Sequence, residues 1–185
     1  MKRITWNSPV VLSFALISGL VLALNYLTGG ASNRLLFMVY KGSLRDPLFY
    51  VRLFTHVLGH ADITHYTNNM ILFLMLGPLL EEKYGSKRLL EIILLTAFIT
   101  GVIQVLLPFN TALLGASGVD FAFIILASIT GTHKSNEIPL TLIIVAVIYI
   151  GQQVMEGLLI HDNISQLTHI IGGLVGAVYG LVFRS

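Results

Sequence analysis

Three short stretches of this chain carry side chains able to do nucleophilic or acid–base chemistry. They are His56, His60, His65 and Asn69 in the first, Gly115-Ala116-Ser117-Gly118 and Asp120 in the second, and His169 in the third. A serine hydroxyl is a weak nucleophile until a base takes its proton, and imidazole suits that task near neutral pH. His65 and Asn69 stand four residues apart, so on a helix they share a face and can both donate to a developing oxyanion. Together these groups suit acyl transfer through Ser117. Cysteine is absent, which excludes thiol nucleophiles, thiolate zinc sites and disulfides. The clustered histidines raise a metal site as a rival. No Glu follows the first of them, however, as the His-Glu-x-x-His pattern requires, and Asp62 is the nearest carboxylate. Neither a metal nor a cofactor is expected.

The elements that must position these groups are membrane helices. Of 185 residues, 55% are hydrophobic and 11% charged, against about 25% charged in a soluble domain. Charges that sparse cannot cover a globule of this size, so a water-soluble fold is excluded. Six spans of about 20 residues use about 120, which leaves room for one all-α polytopic membrane domain over residues 1–185 and no appended soluble one. Apolar segments at 9–27, 64–80, 89–107, 115–131, 138–155 and 168–183 are the predicted spans, with polar or turn-rich breaks at 81–88, 108–111, 132–137 and 157–168. The first run follows Met-Lys-Arg and precedes Gly29-Gly30-Ala31-Ser32, as a cleavable signal peptide would, but it is longer than a signal core and reads as a span. Residues 29–62 interleave Arg34, Lys41, Arg45, Asp46 and Arg52 with apolar runs. That stretch is too polar to span and too apolar for a free loop, so it is expected to lie in the bilayer interface.

Basic residues set the orientation. With the N-terminus inside, Lys2, Arg3, Lys83, Lys87, Arg88, Lys134 and Arg184 fall on the inner side, and Arg34, Lys41, Arg45 and Arg52 on the outer. Both termini are therefore expected in the cytoplasm. The net charge is only +2 and no basic stripe is present, so nucleic acid is not an expected partner.

In that topology spans two, four and six all begin at the extracytoplasmic level, which brings the hydroxyl, the imidazoles and the amide to one depth. Ser117 to Thr130 is 14 residues, about 20 Å of helix, against a hydrocarbon core of about 30 Å. The helix of Ser117 thus starts within the membrane, and irregular backbone at 113–116 is tolerated only if buried in protein or lining a wet cavity. His169, Gly172, Gly176 and Gly180 follow at steps of three or four and form a small-residue ridge along span six, with Gly115, Gly118 and Ala122 opposite on span four. Close packing of the two would bring His169 to Ser117.

Each feature alone has a plainer reading. A lone Gly-x-Ser-Gly at a helix start is more often packing than chemistry, a buried histidine is often a structural hydrogen-bonder, and a glycine ridge implies only helix association. It is their shared topology that favours catalysis. His56 and His60, on the approach to span two, read as structural or interfacial. Asp120 reads as a buried carboxyl, neutral or hydrogen-bonded, rather than a third triad member, because it lies about 4.5 Å deeper than Ser117.

Taken together, His56-x3-His60-x4-His65-x3-Asn69, Gly115-Ala116-Ser117-Gly118 and His169-x2-Gly172-x3-Gly176 resemble the rhomboid family of intramembrane serine proteases in its minimal six-helix bacterial form, from about residue 45 onward. The resemblance implies Ser117 as nucleophile and His169 as general base, an oxyanion hole of His65, Asn69 and the Ser117 N–H, and support from Gly115, Gly118, Phe121, Gly172 and Gly176. It also implies a half-sunk first loop, a plasma-membrane location, and partners that are the lipid bilayer and single transmembrane helices cut near the extracytoplasmic face. Oligomeric state is not implied. The sequence departs from the family where Val51 precedes Arg52 in place of a common Trp, where Phe121 stands for a common Tyr, and where Asp120 replaces an apolar residue. The alternatives are a non-catalytic binding module or chaperone using the same groove, and an ion or metal transporter. Against the latter, no acid–base relay beyond Asp120 and no inverted repeat is visible.

Overall fold

Pro9 opens the first helix, where its fixed φ and missing N–H suit the first helical position. The computed structural model describes residues 5–108, 111–130 and 163–183, with residues 140, 143, 144, 147, 148 and 151 besides. Its helices are α1 (Pro9–Leu27), α2 (Pro47–Thr55), α3 (Ile63–Tyr84), α4 (Ser86–Leu106), α5 (Ser117–Thr130) and α6 (Asn163–Val182). Short helical turns at Asn33–Phe37 and His56–Leu58 flank α2. By length and composition α1 and α4 can cross a membrane, with mean hydropathies of 2.2 and 2.3, and Ser117–Ile129 and Gln166–Val182 are shorter apolar helices.

The chain is all-α, and α5 sits at its centre, packed on α3, α4 and α6. Val119, Ala122, Phe123 and Leu126 of α5 are fully buried. Phe73 of α3 links the layers: its ring stacks on Phe14 of α1 at 4.3 Å and tilts against Phe123 at 5.0 Å. Large apolar side chains such as Leu20, Leu79, Leu94 and Val178 remain exposed on the outside, as a lipid-facing surface requires.

Two helices run past the predicted spans. Residues 81–84 were expected in a polar break, yet α3 continues through Tyr84 and a single residue, Gly85 at φ +80°, joins it to α4. The physical reason is Glu81. Ser8 provides no side-chain cap for α1, and the buried Glu81 carboxylate instead accepts the Val10 N–H at 3.0 Å, the Val11 N–H at 3.1 Å and the Ser86 hydroxyl at 2.7 Å. A carboxylate at a helix N-terminus is favoured by the free N–H groups and the helix dipole. Likewise α6 begins at Asn163, five residues before the predicted span at 168. Of the predicted fifth span, 138–155, the six described residues are helical, while the rest of it and the break at 132–137 lie outside the described residues.

The ridge on span six does what its spacing predicts. A Cβ on Gly172 would lie 2.8 Å from the Gly118 carbonyl carbon and 3.1 Å from its Cα, and one on Gly176 would lie 2.8 Å from Ala122 Cα. α5 and α6 therefore touch backbone to backbone. Gly172→Ala is expected to force them apart and cost about 1–3 kcal/mol, the usual range for overpacking. A thermal midpoint in detergent unchanged from the parent protein would count against this contact.

Candidate active site

The backbone ahead of Ser117 is irregular, and residues before α3 and on α4 satisfy it. Leu113 exchanges both backbone hydrogen bonds with Val39 at 2.9 Å, Gln104 Nε2 donates to the Thr111 carbonyl at 2.8 Å, and the Gly115 N–H donates to the His56 carbonyl at 3.0 Å. Leu113, Gly115 and Ala116 are buried, which meets the condition for non-helical backbone at membrane depth. The Ala116 carbonyl then accepts the Val119 and Asp120 N–H groups at 2.8 and 3.0 Å. That starts α5 with Ser117 in its first turn, among the N–H groups a helix leaves without intrahelical partners.

The first turn of α3 is set by Asp62, whose carboxylate accepts the His65 N–H at 2.8 Å. This places His65 and Asn69 against Gly115. Gly115 has φ +119°, and a Cβ there would lie 2.7 Å from His65 Nε2 and 3.5 Å from Asn69 Nδ2. Only a glycine leaves that imidazole room, two residues before Ser117.

The approach histidines buttress this corner. Asn69 Nδ2 donates to His60 Nε2 at 3.0 Å, so the His60 proton sits on Nδ1 and is donated to the Leu58 carbonyl at 3.2 Å. His56 Nε2 donates to the Ala97 carbonyl at 3.0 Å. Both rings are tied to the protein rather than turned toward a shared centre. Burial pushes each of them, in the stretch before α3, down to about 4, against about 6.5 in an unfolded chain. Between those values the unfolded chain binds more protons, so stability is expected to fall as pH drops from about 6.5 toward 4. Thermal midpoints across that window should show the fall, and His60→Asn should make it shallower. An identical slope in the variant would remove His60 from the account.

α6 supplies the last group. Gly118 of α5 faces Thr168, and a Cβ on it would sit 3.1 Å from Thr168 Cγ2. The His169 ring stacks on Phe121 at 4.2 Å between centroids and 5° between planes. Phe121 is one helical turn beyond Ser117, so the stack fixes His169 beside the first turn of α5. Ser117, His65 and His169 are each half-buried, while Asn69 is buried. The structure thus gathers all three predicted stretches at one end of the bundle. Asp120, expected neutral or hydrogen-bonded, is 1% exposed and neither of its oxygens has a hydrogen-bond partner among the described residues.

Arg52 holds the surrounding stretch together. Its guanidinium pairs with Asp46 at 2.8 Å, donates to the Leu35 carbonyl at 3.3 Å and lies over the Tyr40 ring at 4.7 Å. The paired guanidinium also holds the Asp46 carboxyl below its usual range, and that carboxylate caps α2 through the Leu48 N–H.

The sequence model of the rhomboid domain matches residues 48–185, and the chain belongs to the rhomboid family of multi-pass membrane proteins. It is 29% identical over 139 residues to Rhomboid-related protein 1 of Caenorhabditis elegans, 27% over 142 residues to Rhomboid-like protein 15 of Arabidopsis thaliana, and 26% over 136 residues to Rhomboid protease GlpG of Haemophilus influenzae. These matches cover 71, 69 and 71% of this chain and 39, 35 and 68% of those proteins, so the chain spans well under half the length of the first two.

Proposed function

We propose that this protein is an intramembrane serine endopeptidase that cleaves transmembrane helices of other membrane proteins near the extracytoplasmic face, using Ser117 and His169. The reading rests chiefly on the His169 ring stacked at 4.2 Å on Phe121, one turn after Ser117. In the mechanism, His169 takes the Ser117 proton as the oxygen attacks the scissile carbonyl carbon. The oxyanion that forms is stabilised by His65, Asn69 and the Ser117 N–H. His169 then protonates the leaving amine as the C–N bond breaks. Water, deprotonated by the same ring, hydrolyses the acyl-enzyme and returns Ser117 to its hydroxyl form. The basic-residue distribution supports a cell-membrane location with both termini cytoplasmic.

The deciding experiment reconstitutes the full chain with a generic single-span substrate and compares it with Ser117→Ala. Cleavage by the parent protein alone supports the reading. Binding of the substrate by both without cleavage, and no labelling of Ser117 by a fluorophosphonate, would replace it with a non-catalytic binding module.

A further inference from the structure

An apolar groove of about 550 Å3 runs between α4 and α6, lined by Leu95, Ile99 and Ile103 on one side and Leu174, Val178 and Val182 on the other. Leu174, Val178 and Val182 are 60, 61 and 67% exposed. On α6 the groove extends from Ile171 to Phe183, about 18 Å at 1.5 Å per residue. The depth of one leaflet is about 15 Å, so the groove matches one acyl chain in length. Its end is polar and cationic. Phe183 closes it, the Arg88 guanidinium lies over that ring at 4.9 Å, and the Tyr179 hydroxyl donates to Glu91 at 3.2 Å. Arg88 is exposed and makes no ion pair among the described residues, and Lys87 stands exposed beside it. Arg88 shares its helical face with Glu91 and Leu95, so its charge stands over the mouth of the groove.

We propose that this groove holds one acyl chain of an anionic phospholipid whose phosphate is bound by Arg88. A guanidinium matches phosphate geometry with paired donors, whereas the zwitterionic headgroup of phosphatidylcholine brings its own cation to the same place. The site lies on the outer surface of α4 and α6 and is independent of the chemistry at Ser117.

The test adds phosphatidylglycerol or phosphatidylcholine of identical acyl chains to the full chain in a neutral detergent, and reads thermal midpoint and lipid retained by native mass spectrometry. Phosphatidylglycerol is expected to bind about fivefold more tightly, from one basic residue at the surface. At saturation it should raise the midpoint by about 2–4 °C more than phosphatidylcholine. Arg88→Gln should abolish the preference, and Val178→Trp, which fills the groove, should abolish retention. Glycerol phosphate alone should do nothing; an equal shift from it would assign Arg88 to a free phosphate and overturn the lipid. Equal effects of the two lipids would also overturn the proposal, as would a dimer that Val178→Trp breaks without changing the lipid shift. Should either variant fail to fold, a phosphatidylglycerol with a photoreactive acyl chain decides on the parent protein. Adducts on 95–103 and 171–183 are expected, and adducts spread evenly over all helices would refute the site.

Discussion

Ser117→Ala and His169→Ala are each expected to lower turnover of a reconstituted single-span substrate by about a million-fold, the cost of removing either partner from a serine hydrolase triad. The two act as one unit, because a hydroxyl without a base and a base without a hydroxyl are equally idle. The double variant should therefore be no worse than either single one. Both variants should fold, since Ser117 and His169 are half-buried and neither anchors the apolar core. A fluorophosphonate should label the parent protein at Ser117 and neither variant. Residual cleavage within tenfold of the parent protein in Ser117→Ala would place the chemistry elsewhere.

Asn69→Ala is expected to lower kcat by about 100- to 1000-fold with little change in KM, the loss found when one oxyanion donor is removed. The amide has two protons. One is committed to His60 Nε2 at 3.0 Å, which fixes the rotamer and leaves the second on the side of Gly115. His60 is thus a positioning residue. Its replacement by Ala should lower kcat less than Asn69→Ala does, and His60→Asn, which keeps an acceptor near Asn69, should restore part of the loss. A raised KM with kcat unchanged in Asn69→Ala would instead mark a residue that binds substrate in its ground state.

Much of this was legible in the sequence because it is periodic. The steps from His169 to Gly180 and from His65 to Asn69 declare a face of a helix, and the structure packs those faces where the spacing puts them. The start of α5 could be read because a span beginning at Ser117 is too short to reach the outer surface. What remained hidden depends on partners far apart in the chain. Glu81 looks like a polar residue leaving the membrane, and nothing near it announces that it caps a helix 70 residues earlier. Val39 gives no local sign that it pairs with Leu113, since one isolated bridge leaves no alternation to detect. Asp62 was the exception: a short acid three residues before His65 is a visible capping signal that sequence reasoning passed over as merely the nearest carboxylate.

The one-residue joint at Gly85 has a mechanical consequence. With a single residue between them, and Glu81 and Ser86 bonded across it, parting α3 and α4 at this end would break both that bond and the cap on α1. The three helices behave as one stiff frame. Relative motion among the helices therefore falls at boundaries outside that frame.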